Sequence, residues 1–517
     1  MQRKQLTLVI VSLLVVVLSV SLAWFTTQII GKGKDVSVTS ANLQIVFIDS
    51  DGALTETDIE PGWSATKTFT IKNDTKTEYK YNIVIKDLLN TFVTNGYLQY
   101  KITSTNNGYN MTEFKDIPKS SAPKDTILAY SVVIPNGVTQ SYTIEFKYAN
   151  DESVDQSDDM GKKLSGTLFI TEGTEDIYAG YEEGTLGYQI MGDNPTRSTR
   201  SNNNNGKNEF STPLTATTTG TLFTSTESIT GVTDTPKEVY YYAGNTTNNW
   251  VKFANLYWRI IRTNHDSSIR LLYVGTSHDT TTGNIGTSLF NQNYDGPKYV
   301  GYKYGEDTSL DTIRNNTTDS TIKTFIDSWY QNNLTNYTKY LSTSAVYCND
   351  RSLGTGQTYS ASSDSEFKFA PYYRMDYGTG GAKANPSYNC TDIRDAFSVD
   401  NTSAKLTYPV SLMTADEIAF AGGVAYQTMS TPYAWFISNS TGSQVSTYWW
   451  SLSPGLWSGG SAYVWGWYSD LATLNISGVG IASAVRPAIS LKSCIKYSTG
   501  DGTSESPYEI VETSSGC

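Results

Sequence analysis

The stretch WWSLSPGLWSGGSAYVWGWYSD, residues 449–470, holds the side chains whose type and spacing best suit ligand recognition. Six of the eleven tryptophans lie between Trp435 and Trp467, surrounded by Gly, Ser and Pro rather than Leu, Ile and Val. Trp and Tyr give large rigid contact area at low conformational cost, and their faces stack on sugar rings. The stretch therefore predicts an outward-facing ligand-binding surface formed by Trp457, Tyr463, Trp465, Trp467 and Tyr468.

Alternation along AYVWGWYSD puts Tyr463, Trp465 and Trp467 on one side of a strand. The competing interpretation is that this side faces the core, where Trp is also common. That interpretation extends to the tryptophan pair of YWWSLSP. It is weakest for Trp457, which lies in SPGLWSGGS without periodic apolar neighbours.

Two histidines are the main candidates for acid–base chemistry. His265 lies in TNHDSS and His278 in TSHDTT, and neither a G-x-S-x-G nor an H-E-x-x-H motif occurs. The ADE run at 415–417 is better explained as part of a helix capping box than as a catalytic acid. We predict no enzyme activity and no cofactor. A carboxylate pair for glycan hydrolysis stays open, because its spacing is three-dimensional.

The chain has four cysteines: Cys348, Cys390, Cys494 and Cys517. An even number in an exported chain suggests two disulfides among three pairings. The local pairing, Cys348 with Cys390 and Cys494 with Cys517, closes the shortest loops. Zinc sites need close Cys or His spacing, which is absent, so no metal site is predicted. CNDRS at 348–352 could suggest calcium, but a turn pinned by a disulfide is favoured.

Composition bounds the class of protein. The chain has 517 residues, enough for two or three domains, with a net charge of -12 and a pI near 4.8. Nucleic acid is excluded as a partner because phosphate binding requires a basic patch. Many short apolar runs separated by turn residues favour β structure over helix bundles.

The first 30 residues predict a membrane segment. MQRK supplies two basic residues, and the 20 residues from Leu6 to Phe25 carry no charge, which is enough to cross a bilayer as a helix. The basic flank puts the N-terminus inside and the rest of the chain outside. The segment is either a signal anchor or a signal peptide cleaved after Ala23.

Three further units follow. Seven strand-like runs over residues 36–172 predict an antiparallel β-sandwich. Residues 173–208, with TRSTRSNNNNGKNEF, predict a solvated linker. Residues 209–517 predict an α+β domain with one helix over the Ile322–Leu341 region, by its three- and four-residue spacing, and a second in TADEIAFAGG. In the second helix, Thr414 and Glu417 form a capping box and Gly422 a C-terminal stop.

The last unit resembles a known domain. FANLYWRIIR (253–262), CNDRS (348–352), LTYPVSLMTADEIAFAGG (406–423), WWSLSPG (449–455) and VRPAISLK (485–492) occur in the order found in the domain of unknown function 6273 family. The resemblance covers residues 236–511. It implies a C-type-lectin-like fold of the formylglycine-generating-enzyme branch, which includes variable proteins made by diversity-generating retroelements. It implies that aromatic side chains before the final RP strand contact ligand. The close cysteine pair that formylglycine-generating chemistry needs is missing.

The N-terminal part resembles exported bacterial proteins of the TasA and camelysin type. The resemblance rests on the hydrophobic leader ending in LAWFTT, residues 22–27, and on the β-sandwich after it. The resemblance implies a Gram-positive-like exporter; camelysin-like proteolysis does not carry over, because the chain has no H-E-x-x-H motif.

The sequence thus predicts a multidomain protein with an N-terminal transmembrane helix, an antiparallel β-sandwich and an α+β C-type-lectin-like domain. The expected function is an adhesin-like bacterial cell-surface binding protein, membrane-anchored or secreted, whose partner is an extracellular glycan or protein. One alternative is a structural subunit of a surface fibre or matrix. Another is a secreted glycan hydrolase.

Overall fold

The computed structural model describes residues 35–40, 43–49, 61–74, 76–94, 96–159, 162–174, 176–375, 383–429, 434–446, 448–468 and 472–517. The chain divides into two compact units, residues 1–176 and residues 177–517. Both are built mostly of strands, which confirms the predicted β-rich protein with more than one domain.

The predicted membrane segment, residues 1–30, lies outside the described residues. Within the described ranges, no helix combines the length and the apolar character needed to span a bilayer.

The first unit consists of antiparallel strands in two sheets. One sheet has the order β1-β2-β3-β8-β5-β6 and the other the order β7-β4-β9. The strands are β1 Asp35–Ser40, β2 Leu43–Asp49, β3 Ser64–Asn73, β4 Tyr79–Asn90, β5 Leu98–Ser104, β6 Lys115–Asp116, β7 Ser120–Ile134, β8 Thr139–Tyr148 and β9 Leu164–Glu172. Side chains from both sheets share one apolar core.

Alternation of polar and apolar residues fixes the register in this unit. Phe69 on β3 lies opposite Tyr142 on β8, and their rings stack at 4.8 Å. The hydroxyl of Tyr81, on β4 in the other sheet, donates to Gln140 Oε1 on β8 at 2.6 Å. A buried polar bond therefore joins the two sheets, as buried polar groups require.

The second unit has a larger sheet system. Its strands are β10 Thr196–Thr199, β11 Thr221–Glu227, β12 Lys237–Tyr241, β13 Trp250–Phe253, β14 Leu256–Thr263, β15 Ile269–Gly275, β16 Thr287–Ser288, β17 Lys303–Tyr304, β18 Thr318–Asp319, β19 Tyr347–Cys348, β20 Phe367–Lys368, β21 Ala396–Phe397, β22 Val410–Leu412, β23 Tyr448–Ser458, β24 Ser461–Tyr468, β25 Thr473–Gly478, β26 Ser483–Ala484, β27 Pro487–Leu491, β28 Tyr497–Thr499 and β29 Tyr508–Ile510. Its α-helices are α1 Leu186–Asp193, α2 Leu310–Ile313, α3 Thr321–Asn333, α4 Ala370–Met375 and α5 Ala415–Ala421.

Two sheets dominate this unit. A ten-stranded sheet runs β10-β11-β12-β14-β13-β29-β28, with β15, β27 and β22 joined through β14. A six-stranded sheet runs β16-β26-β23-β24-β25, with β20 beside β23. Both predicted helices are present as α3 and α5, and the Thr414–Glu417 capping box closes the start of α5.

The predicted linker over residues 173–208 is wrong for most of its length. Residues 177–208 belong to the second unit. Helix α1 buries Leu186, Ile190 and Met191 in the main core, and β10 pairs in parallel with β11. Three well-spaced apolar side chains are enough to anchor a short helix when a tertiary partner covers them.

The local disulfide pairing is the one present. Cys348 bonds Cys390, and Cys494 bonds Cys517. The two bonds agree with an oxidising, extracellular environment.

Candidate functional site

The three tryptophans predicted to face ligand are buried. Trp457 is 1% exposed, and Trp465 and Trp467 are fully enclosed. The prediction that these side chains face outward is therefore wrong. They lie on β23 and β24, the central hairpin of the six-stranded sheet, and both faces of this hairpin are covered.

Each of these indoles has a defined place in the core. Trp457 Nε1 donates to the carbonyl oxygen of Ser362 at 3.0 Å. Trp465 packs beside Tyr372, and Trp467 meets Phe436 edge-to-face at 4.9 Å between ring centroids. These three tryptophans thus form part of the core scaffold.

Tyr463 and Tyr468 are half-buried and reach the surface in part. Tyr468 lies at the end of β24, and its ring centroid is 4.0 Å from that of Tyr448 on β23. Tyr448 in turn lines an open pocket at the edge of the same sheet. Of the five predicted ligand-binding residues, Tyr468 is the one that the structure brings next to this pocket.

This pocket has a volume of about 400 Å³, within the roughly 300–1,000 Å³ usual for small-ligand sites. Three chain segments converge on it, around β16, the start of β23 and β26. It is lined by Thr281, Thr282, Asn284, Thr287, Ser446, Tyr448, Ala482, Ser483 and Ala484. None of these side chains carries a charge at neutral pH.

Backbone and amide hydrogen bonds hold the walls together. Asn284 Nδ2 donates to Thr282 O at 2.6 Å and to Ser446 Oγ at 3.1 Å. Asn284 Oδ1 accepts from the amide of Gly286 at 2.9 Å. The amide of Ser446 donates to Thr281 O at 2.9 Å. Asn284 therefore cross-links two of the converging segments. These hydrogen bonds leave its side-chain amide little freedom to rotate.

A glycine on the neighbouring strand sets the position of the aromatic wall. A Cβ atom at Gly466, on β24, would lie 2.5 Å from the Tyr448 hydroxyl and 2.7 Å from Trp449 O. The Tyr448 side chain thus lies over the space that Gly466 leaves open. Burial is the largest of the causes that raise the pKa of Tyr448 well above its ordinary value, so the phenol stays neutral.

Three threonine hydroxyls of this pocket are exposed and have no partner among the described residues. They belong to Thr281, Thr282 and Thr287. Ser483 is 4% exposed, and its hydroxyl also lacks a partner among the described residues. Unpaired hydroxyls at a surface cavity can exchange their waters for a ligand.

An exposed apolar pair lies beside the pocket. Tyr294 is 54% exposed and Ile481 is 55% exposed. Tyr294 packs near Gly480, and Ile481 directly precedes Ala482 of the pocket lining. This pair extends the polar pocket into a mixed surface.

The charged residues form a separate buried network. Glu417 Oε1 accepts from Arg262 Nε at 2.8 Å and from Arg270 Nη1 at 2.6 Å, and Glu227 Oε1 accepts from Arg262 Nη2 at 2.8 Å. Burial alone would raise the pKa of Glu417, but Arg270 and Arg262 lower it below its ordinary value.

Arg374 extends this network by pairing with Asp350 at 2.7 Å and with Asp416 at 2.8 Å. The cavity between these groups is about 20 Å³, room for about one water and not for a sugar ring. Asp350, the oxygen donor considered for calcium, is thus held by an arginine. These buried ion pairs are suited to holding the elements of the core in one arrangement.

The histidines are engaged in local contacts. His265 Nδ1 lies 3.5 Å from Glu227 Oε2, and its side chain is 7% exposed. His278 Nδ1 lies 2.7 Å from Ser440 Oγ, and its ring packs against Trp250 and Tyr257. Within the described residues no salt bridge joins His278 to a carboxylate. The adjacent Asp279 interacts with it electrostatically, but a hydrogen bond from Ser277 is the main cause that lowers the pKa of Asp279.

The sequence did not predict the residues that line the pocket. They are mostly Thr, Ser and Ala from segments 281–287, 446–448 and 482–484, types that turns use everywhere. The contact between Gly466 and Tyr448 joins residues of two different strands, and no sequence motif marks it. Only the concentration of Thr and Asn in TTTGNIGTS, 280–288, marks a polar loop.

Comparison with known proteins gives little. Neither a protein-family model nor a curated protein matches this chain. A solved structure of AvmM, which catalyses macrocyclization in alchivemycin A biosynthesis, aligns with 28% of this chain and 98% of its own at 10% identity. The TM-score is 0.15, so this likeness carries no argument about fold or activity.

Proposed function

We propose that this chain is a bacterial cell-surface binding protein whose second unit recognises an extracellular ligand through the pocket around Tyr448. The observation that carries the proposal is an open cavity of about 400 Å³ whose described lining is uncharged. It has one aromatic wall and three exposed threonine hydroxyls without a partner among the described residues. Such convergence of an aromatic face and a few fixed polar groups is typical of recognition sites.

Other features fit this function. The disulfides suit a chain outside the cell. The net charge of -12 suits a soluble surface domain and argues against binding to nucleic acid. The uncharged segment Leu6–Phe25 would export or anchor the chain, and the first unit would act as spacer. The ordered motifs from FANLYWRIIR to VRPAISLK support a C-type-lectin-like fold for the second unit.

We propose that the pocket binds its ligand without catalysing a reaction. No carboxylate is among the described residues that line the pocket. Four buried carboxylates elsewhere in the second unit, Glu227, Asp350, Asp416 and Glu417, line a cavity of about 20 Å³ together with arginines. A glycan hydrolase needs two carboxyl groups beside its substrate.

The experiment is a binding screen of the full chain against immobilised glycans and extracellular proteins, with Tyr448→Ala beside the wild type. Tyr463→Ala is the matched control, because Tyr463 is also a half-buried tyrosine of this sheet but does not line the pocket. We expect a ligand that the wild type and Tyr463→Ala bind and that Tyr448→Ala does not. Equal binding by all three proteins would place recognition elsewhere and contradict the proposal.

A fibre subunit is the second candidate, and one observation favours it. Strand β9, residues Leu164–Glu172, ends the three-stranded sheet and pairs only with β4 among the described strands. A nine-residue edge strand can pair with another chain. Concentration-dependent fibres of the full chain in electron micrographs would favour this candidate; a monodisperse protein at all concentrations would disfavour it.

A further inference from the structure

The charge of the pocket lining restricts the ligand. The nine described lining residues are Thr, Asn, Ser, Tyr and Ala, and no arginine, lysine, aspartate or glutamate is among these nine. An ionic ligand group would lose water there without gaining a counter-charge, which is costly. The lining therefore favours a neutral ligand, although the protein as a whole is acidic.

The hydrogen-bonding groups restrict it further. Thr281, Thr282 and Thr287 present hydroxyls, each able to donate one hydrogen bond and accept others. Carboxylates and phosphates only accept, whereas a ligand hydroxyl can match both roles. Asn284 is already satisfied by Thr282, Ser446 and Gly286, so it serves as a positioning residue for these walls.

The aromatic wall adds an apolar contact. The ring of Tyr448 is half-buried, with its position set by the space at Gly466 and by the ring of Tyr468 at 4.0 Å. Ala482 and Ala484 add small apolar groups to the same cavity. A ring with an apolar face and a hydroxylated rim would match this combination of wall and rim.

We infer that the Tyr448 pocket takes one neutral sugar unit of a glycan, stacked on the Tyr448 ring and hydrogen-bonded to the threonine hydroxyls. This inference rests on the proposed function and narrows its ligand from glycan or protein to neutral glycan. A protein partner normally buries about 800 Å² on each side, around aromatic anchors at the centre. The tryptophans that could have been such anchors here, Trp457, Trp465 and Trp467, are buried.

The test uses the full chain with neutral oligosaccharides of hexose and N-acetylhexosamine units, and with sialylated or uronic-acid oligosaccharides of the same length. Dissociation constants are measured by calorimetry. We expect at least one neutral oligosaccharide to bind roughly tenfold or more tightly than every acidic one, since unpaired ligand charge is penalised.

Variants locate the contact. Thr282→Val keeps the shape and removes one hydroxyl, and we expect it to weaken binding roughly threefold to tenfold, the size of one neutral hydrogen bond. Tyr448→Ala should abolish binding. Thr226→Val is the matched control, an exposed threonine on β11 outside the pocket, and it should bind as the wild type does. Thr282→Val keeps the test decisive if Tyr448→Ala does not fold.

The outcomes separate the inference from the proposed function. Binding of a protein but of no neutral glycan, with loss in Tyr448→Ala, would overturn the sugar assignment and leave the recognition role standing. Preference for acidic glycans would overturn the sugar assignment in the same way. Binding of neither glycans nor proteins would overturn both.

Discussion

Replacing Trp467 by alanine should lower the free energy of unfolding of the second unit by about 3–5 kcal/mol. Trp467 is fully enclosed on β24. The change would leave a large cavity in a sheet whose neighbouring strands cannot collapse without losing their pairing to Trp449 and Leu474. If Trp467 instead displayed its ring to a ligand, the change would cost about 0.5 kcal/mol or less.

Two contacts place the cost in the upper part of that range. The edge-to-face contact of Trp467 with Phe436, at 4.9 Å, is itself worth about 0.5–1.5 kcal/mol beyond area burial. Gly423 lies so close that a Cβ there would be 3.0 Å from Trp467 Cζ3. The indole is therefore packed against backbone, which cannot move in to fill the space.

The adjacent residue is the control. Tyr468 follows Trp467 on the opposite side of β24 and is half-buried. Tyr468→Ala loses the contact with Tyr448 but creates no enclosed cavity, so we expect about 1 kcal/mol. A difference of about 2–4 kcal/mol between the two variants separates a scaffold indole from a surface phenol.

The assay is urea unfolding followed by near-UV and far-UV circular dichroism. The two units have separate cores, so two transitions are expected rather than one. Trp467→Ala should move the transition of the second unit to lower urea and leave the other in place. An unchanged midpoint for Trp467→Ala, or equal shifts for Trp467→Ala and Tyr468→Ala, would refute the burial argument.

Three further predictions concern the pocket and its frame. Gly466→Ala should displace Tyr448, cost about 1–3 kcal/mol through overpacking, and reduce ligand binding in the calorimetric assay. Replacing Cys348 and Cys390 together by serine opens a loop of sequence separation 42 and should cost up to about 4 kcal/mol in urea unfolding; no change would mean that the bond does not constrain the unfolded chain. Hydrogen bonds from Arg394 lower the pKa of Asp392 to about 2, so its stabilising effect is present above the unfolded pKa of about 3.9 and is lost as pH falls towards 2. Asp392→Asn should flatten acid unfolding curves in that window, and an unaltered curve would contradict the assignment.

Local patterns in the sequence predicted the parts of the fold that local physics decides. Alternation along ATKTFTIKN is visible in Phe69 and Ile71, which both point into the core of the first unit. The capping box of Thr414 and Glu417 needs only four consecutive residues, and it is present. In both cases the partners are close in sequence or related by a simple period. The disulfides present are the local pairing, one of the three that the sequence left open.

The failures share a different cause. Glycine and serine around the tryptophans favour an outward-facing surface, yet Ser451 and Ser453 are buried strand residues. Ser451 Oγ donates to Trp465 O at 2.7 Å, and a Cβ at Gly455 would lie 3.0 Å from Ile476. Small residues in this sheet make room for neighbouring side chains, Ile476 at Gly455 and Tyr448 at Gly466. Composition alone cannot distinguish that from a flexible display loop, because the difference lies in the neighbouring elements.

The buried tryptophans contribute to the walls of the proposed recognition pocket. Trp450 Nε1 donates to Ser288 O at 2.9 Å, which fixes the short strand β16 that carries Thr287. Trp449 pairs with Ala484, and Ala484 pairs with Thr287, so one row of backbone bonds joins β23, β26 and β16. A weak polar site gains affinity chiefly by being preorganised, since each ordered side chain costs about 0.5–1.5 kcal/mol on binding. The indoles therefore hold in place the hydroxyls and the tyrosine ring that a ligand would contact.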